Sequence, residues 1–107
     1  MAPRRPSPSI RELADAFERL RRRAHRLRRF VHESTTAWQR WSSTIDEAME
    51  IAEALSVTPA RSIADLSIKF ATLLKILEFN RSVVDKDDLR SLRRFGRDLA
   101  RLNDRGA

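Results

Sequence analysis

The feature that most restricts the fold of this chain is an apolar repeat without a helix breaker, which runs from Ile10 to Leu55. Apolar residues recur at alternating spacings of three and four, and neither Gly nor Pro occurs between Ser9 and Thr58. Such a register is typical of a helix that buries one narrow stripe. We therefore predict a long N-terminal helix, which would span roughly 70 Å at 1.5 Å per residue.

One short segment argues against a single helix. Ser34, Thr35 and Thr36 are poor helix formers, and Thr36 together with Gln39 could cap a new helix. Because a turn usually resets the apolar register and the register here continues, we favour the continuous helix. A break near Ser34, which would give four helices in total, is the alternative.

A second predicted helix, 62–79, follows Pro59. Ser62 and Asp65 have the spacing of a capping box at its start. Apolar residues occupy most of its circumference, which predicts that this helix is buried on most sides at the centre of the fold. We expect the following side chains to form the core or an interface: Ile63, Leu66, Phe70, Leu73 and Leu77, with Trp38 and Trp41 packed against them.

A third predicted helix, 86–103, begins after Asp85 and presents one leucine-rich face. Gly96 lies on that face, where close approach to another helix would explain a residue that weakens helices. The predicted fold is thus all-α, a long N-terminal helix packed with a C-terminal antiparallel helical hairpin. It forms one domain, 9–104, behind a disordered, basic, proline-rich tail, 1–8.

The residue types argue against catalysis, and we expect no enzyme, no cofactor and no metal. The chain has no cysteine, and its two histidines, His25 and His32, take outward positions two helical turns apart. Neither a buried carboxylate pair nor a glycine-rich phosphate loop is implied. The sequence shows no signal peptide and no apolar run long enough to span a membrane, so we expect a cytoplasmic protein.

Charge is unevenly distributed along the chain. The net charge is +7, and residues 1–32 and 81–107 are basic whereas residues 33–80 are mildly acidic. Arginine-rich helix faces either bind an anionic partner such as nucleic acid or serve as solvated surface, and the sequence leaves both open. The candidate contacts are Arg21, Arg22, Arg23, Arg26, Arg28, Arg29, Arg90, Arg94, Arg97 and Arg101.

The stretch from Ala37 to Leu74 carries a family resemblance. Its middle reads Thr-Pro-Ala-Arg-Ser-Ile-Ala-Asp-Leu from Thr58, followed by Lys69. This segment resembles small uncharacterised helical proteins of α-proteobacteria, which are often found in prophage or other mobile regions. Where that family often has Gly before the Leu, this chain has Asp65. The resemblance implies an accessory role in a bacterial cytoplasm and assigns no functional residue.

Two functions are consistent with these patterns. The first is a non-enzymatic interaction protein, which assembles with itself or with another helical protein through surplus apolar surface. The alternative is an accessory protein that binds nucleic acid through its arginine faces. A parallel homodimer of the first helix would bring Arg23 of one copy close to Arg28 of the other, so we expect any homodimer to be antiparallel or built through the central helix and the Trp region.

Overall fold

The computed structural model describes residues 7–79 and 85–105. Over those residues the chain forms α-helices and one short 3-10 helix, with no β-strand, which confirms the predicted all-α class. Most of the predicted disordered tail, 1–6, lies outside the described residues. The elements are α1 (Ile10–Leu27), a 3-10 helix (Arg28–Phe30), α2 (Thr35–Val57), α3 (Ile63–Phe79) and α4 (Lys86–Arg105).

The predicted continuous N-terminal helix is wrong, and the four-helix alternative is what the chain adopts. After α1 the backbone passes through the 3-10 helix, and α2 begins behind Ser34. Ser34 is extended, and its Oγ accepts a hydrogen bond of 3.0 Å from the N–H of Ala37. A serine side chain that bonds the backbone in this way favours a helix start over a helix interior. The new helix is therefore capped two residues earlier than the Thr36 and Gln39 spacing indicates.

Helices α1 and α2 form an antiparallel hairpin. Ile10 and Leu13, at the start of α1, pack with Leu55 at the end of α2. One turn further along α1, Phe17 packs against Ala48 and Ala52 of α2. Small residues on α2 let the two backbones approach closely, and each large side chain buried here stabilises the fold by about 1.5–3 kcal/mol. The apolar repeat continues from α1 into α2 because each of these helices buries one apolar stripe against the other.

The link from α2 to α3 is held by side chains of the segment that carries the family resemblance. Lys69 Nζ donates a hydrogen bond of 2.7 Å to the carbonyl oxygen of Thr58, just before the proline. At the start of α3, Ser62 Oγ accepts from the N–H of Asp65 at 3.0 Å, and the Asp65 carboxylate accepts from the N–H of Arg61 at 3.4 Å. The capping residues named from the sequence therefore cap α3, and Lys69 ties it to the end of α2.

Helix α3 lies between the α1–α2 hairpin and α4. Its residues Ile68 and Ile76 pack against the two core clusters of the hairpin. On another side it forms an antiparallel pair with α4, in which Glu78 accepts from Arg93 at 3.0 Å and Phe70 faces Gly96. The antiparallel C-terminal hairpin is thus as predicted. Within the described part of the chain, α4 contacts α3 and no other helix.

This arrangement makes the molecule flat and corrects the predicted core. It extends 52 × 50 × 19 Å along its principal axes, so α3 is covered at two of its sides and uncovered elsewhere. Phe70, Leu77 and Trp41 are half-buried. The expectation of burial is wrong for the following residues, which are exposed: Ile63, Leu66, Leu73 and Trp38. A helix this apolar needs neighbours all round, and the chain supplies too few.

Candidate interaction surfaces

Large apolar side chains of α3 and α4 form one exposed face of the C-terminal hairpin. Leu66 and Leu73 are 47% and 45% exposed on α3, and Phe95 and Leu102 are 59% and 57% exposed on α4. In each helix the two residues are two turns apart and therefore share a side. Phe70 connects the two rows, since its ring centroid lies 5.1 Å from that of Phe95. We name these five residues the α3–α4 apolar face.

A groove extends this face towards α2. Ala52 and Leu55 of α2 form one wall, and Leu66, Phe70 and Leu73 form the other. The groove has a volume of about 250 Å³. It is open to solvent, and the atoms that line it are almost all apolar. Lys69 also lines it, but its ammonium group is engaged by the Thr58 carbonyl. The groove therefore suits apolar side chains of a partner, because the partner does not have to supply a polar group to pair with Lys69.

Of the residues predicted to form a core or an interface, Leu66, Phe70 and Leu73 lie together on the α3–α4 apolar face. The two residues that α4 contributes to this face were not predicted from the sequence. Phe95 and Leu102 belong to the leucine-rich stripe of α4, which also contains the buried Leu89 and Leu99. A stripe that wide exceeds what one neighbouring helix covers. Its width was the signal for an exposed apolar edge. Trp38 and Trp41 lie on α2, outside both the core clusters and this face.

A network of ions between α1 and α3 is centred on Glu18. Its carboxylate accepts from Arg21 at 2.7 and 2.9 Å, from Arg22 at 3.2 Å and from Lys75 of α3 at 3.1 Å. The hydrogen bond from Arg21, aided by Lys75 and opposed by partial burial, lowers the pKa of Glu18 to about 2. The same contact raises the pKa of Arg21. Two of the arginines predicted to contact an anionic partner are therefore held by an acid of the chain itself.

The other arginines of this region gather at the end of the α1–α2 hairpin. Arg26, Arg28 and Arg29 are exposed and, with His25, line one recess in the surface. Arg23 is exposed and lines a neighbouring recess together with Arg26. None of the ion pairs formed within residues 7–79 and 85–105 involves Arg26, Arg28 or Arg29. We name these three residues the hairpin-tip arginines, and their arrangement could bind phosphate oxygens.

The arginine stripe predicted on α4 is exposed along its length. Arg90, Arg94, Arg97 and Arg101 all reach solvent, and Arg101 lies 3.8 Å from Asp98 in a loose ion pair. Arg93, which the sequence pattern did not single out, is the arginine of α4 that binds α3 through Glu78. Most of the stripe thus lies on the surface of α4 away from α3, as its spacing predicts. Arg97 differs, because it lines a recess between α3 and α4 together with Arg93.

Other kinds of site find little support in the described residues. Among them no group of His, Cys, Asp or Glu is arranged to hold a metal ion, and His25 and His32 are both exposed. No helix in the described ranges is both long and apolar enough to cross a membrane. No family model matches the sequence, and no curated protein or solved structure is significantly similar to it. The resemblance to α-proteobacterial helical proteins therefore stays a prediction.

Proposed function

We propose that this protein is a non-enzymatic helical interaction protein, which binds a partner protein through the α3–α4 apolar face. The observation that supports the proposal is the exposure of Leu66, Leu73, Phe95 and Leu102 on one connected surface. Scattered exposed apolar residues are normal in soluble proteins, whereas a contiguous patch of large ones usually marks an interface. The aromatic pair near its centre, Phe70 and Phe95, offers the large apolar area that aromatic side chains contribute to interfaces.

The energetics of the face agree with this role. Covering the exposed half of one such Leu or Phe side chain contributes about 1 kcal/mol, at about 25 cal/mol per Å². Several of these contributions together offset a substantial part of the entropy lost on association. Other large apolar side chains, such as Trp38 and Val57, are exposed singly on α2, whereas those of the α3–α4 apolar face are connected through Phe70.

A photocrosslinking experiment tests the proposal even though the partner is unidentified. The photoreactive residue p-benzoylphenylalanine replaces Leu73 in one variant and Arg94 in a control variant, and both are expressed in cells of the protein's source. Arg94 is a suitable control because it is exposed on α4 but lies outside the apolar face. We expect defined protein adducts from position 73 and few from position 94. Equal adduct formation at both positions, or none at position 73, would contradict the proposal.

The second candidate function is the binding of nucleic acid, and the hairpin-tip arginines favour it. Three guanidinium groups on one exposed tip, outside the ion pairs of the described residues, can contact successive phosphates of a backbone. Their tip lies on the hairpin of α1 and α2, which α4 does not touch. Both functions can therefore coexist in one molecule. An accessory role in the cytoplasm, which the family resemblance implies, is part of this proposal.

A further inference from the structure

We infer that the partner at the α3–α4 apolar face is a second copy of this chain, packed with α4 antiparallel to the other α4 about a twofold axis. The inference rests on the proposed function and adds the identity and orientation of the partner. Its support is the order of charges along the exposed side of α4.

Charge along α4 is complementary to itself in one orientation. The first turn of the helix carries Asp87 and Asp88, and its last turn carries Arg105. Asp88 and Arg105 are exposed and flank Phe95 and Leu102 on one side of α4, at opposite ends. In an antiparallel pair Asp88 of each copy lies opposite Arg105 of the other. A parallel pair would instead oppose acid with acid and base with base, which is unfavourable.

The helix dipoles add to this preference. The positive N-terminal end of each α4 would lie beside the negative C-terminal end of the other, as in any antiparallel helix pair. Twofold symmetry repeats every contact, so the pair of Asp88 and Arg105 forms twice. In such a dimer the apolar face of each copy covers the apolar face of the other, so one surface serves both partners.

The shape of the chain leaves room for such a dimer. The molecule is 19 Å thick in its thinnest direction, and α4 contacts α3 and no other described helix. A second copy can therefore lie against the apolar face and meet the α1–α2 hairpin of the first only at the groove wall formed by Ala52 and Leu55. The groove between α2 and α3 is then available to receive a large side chain such as Phe95 of the other copy.

The overall charge of +7 per chain opposes self-association, but it is concentrated elsewhere. The hairpin-tip arginines lie beyond α2, and Arg90 and Arg97 lie on the side of α4 away from the apolar face. Exposed charges more than about 10 Å apart are largely screened at 0.1 M salt. The local pattern of Asp88 and Arg105 therefore decides the orientation, and moderate salt should assist the dimer by screening the general repulsion.

Crosslinking of cysteine variants tests the orientation, and the absence of native cysteine makes it clean. One preparation carries Ser91→Cys and a second carries Arg105→Cys, and a short bismaleimide is added to each alone and to their mixture. We expect strong crosslinking in the mixture and weak crosslinking in either preparation alone. Arg97→Cys, on the side of α4 opposite Phe95, should crosslink with neither. Dominant 91–91 and 105–105 products would show a parallel dimer and overturn the orientation.

A charge swap gives an independent test of the same contact. Asp88→Arg alone should raise the dissociation constant about fivefold at low salt, as measured by sedimentation, because each Arg105 would then face an arginine. Arg105→Asp alone should raise it to a similar extent. The double variant Asp88→Arg with Arg105→Asp should recover most of the wild-type affinity. A double variant as weak as the sum of both singles would contradict the pairing.

The outcomes separate this inference from the proposed function. A wild-type chain that stays monomeric to high micromolar concentration, while position 73 crosslinks to a different protein, would overturn the second-copy inference and leave the proposed function standing. Absence of any adduct at position 73 would overturn both. Adducts at position 73 with the mass of two chains would support both. Isotopic labelling of half the chains would show whether such an adduct contains two copies.

Discussion

Gly96 of α4 faces Phe70 of α3 so closely that a Cβ atom at position 96 would lie 3.0 Å from Cε1 and 3.1 Å from Cδ1 of the ring. It would also lie 3.3 Å from Cδ1 of Leu74. The sequence predicts close helix approach as the reason for this glycine, and the geometry agrees. The contact also sets where α4 rests on α3, because α4 has no other neighbour among the described helices.

The first prediction concerns the size of the residue at this position. Gly96→Ala should change the free energy of unfolding by less than about 1 kcal/mol, because the gain in helix propensity offsets the tighter contact. Gly96→Val should destabilise by about 2 kcal/mol, because its two methyl groups must displace the Phe70 ring or the helix. Urea unfolding at one fixed protein concentration measures both.

Arg94→Val is the matched control, since it introduces the same β-branched residue at an exposed position of α4. It should cost no more than the difference in helix propensity, which is below about 1 kcal/mol. If Gly96→Val proves no more harmful than Arg94→Val, the close approach of α4 to Phe70 does not hold the helix in place.

The second prediction follows from the ion network of Glu18. Its pKa is about 2 instead of the ordinary 4.5, so the unfolded chain binds the proton more readily than the folded chain. The stabilisation is therefore complete above about pH 4.5 and disappears as the pH falls towards 2. Glu18→Gln should lower the free energy of unfolding by about 1–2 kcal/mol at pH 7, an amount reduced by the solvent exposure of its basic partners.

At pH 2 the Glu18→Gln variant and the wild type should have nearly equal stability, which acid titration with urea unfolding can measure. Glu53→Gln, an exposed acid of α2, serves as the control and should behave as the wild type at both pH values. A stability difference for Glu18→Gln that persists unchanged to pH 2 would show that packing, and not the carboxylate charge, accounts for it.

A local signal in the sequence was sufficient to place the start of α3. Ser62 accepts a hydrogen bond from the N–H of Asp65, as the capping-box spacing predicts. Ser9 and Asp85 likewise accept from a backbone N–H at the starts of α1 and α4. Capping is a contact between neighbours in sequence, so it can be identified before the fold is seen. Ser34 does the same, but the continuous apolar register argued against it. Periodicity shows that a stripe is buried and does not show whether one helix or two carry it.

The core of α3 could not be predicted from its composition. The apolar circumference indicated burial of Ile63, Leu66 and Leu73, and all three are exposed. How many neighbours surround a helix depends on the packing of the whole chain, and here α4 covers one side while the α1–α2 hairpin covers another. Helix α3 has more apolar surface than its neighbours within the chain cover, and this uncovered surface is the reason to expect a partner.

The third prediction concerns Lys69, which joins α3 to the end of α2. Its ammonium group donates to the Thr58 carbonyl at 2.7 Å. Lys69→Met keeps the aliphatic stem but removes this donor, so we expect a loss of about 1–2 kcal/mol in the free energy of unfolding. Hydrogen exchange should become faster at the junction between Val57 and Ile63. Lys86→Met, at an exposed position of α4, is the control and should leave both measurements unchanged.

The last prediction addresses nucleic-acid binding by the hairpin-tip arginines. The variant with Arg26, Arg28 and Arg29 changed to Gln should bind a fluorescent DNA duplex more weakly than the wild type. If each arginine contacts one phosphate, the slope of log affinity against log salt should fall in magnitude by about 2.7, at about 0.9 per contact. Fluorescence anisotropy at several salt concentrations measures that slope.

The matched control changes Arg90, Arg94 and Arg97 to Gln, which removes the same charge from a different surface. Both variants lower the net charge from +7 to +4, because each loses three positive charges. Binding through the hairpin tip requires the salt slope to fall in the first variant and to stay near the wild-type slope in the second. Equal slopes in the two variants would show that DNA responds to net charge alone, and the hairpin tip would then be a solvated surface.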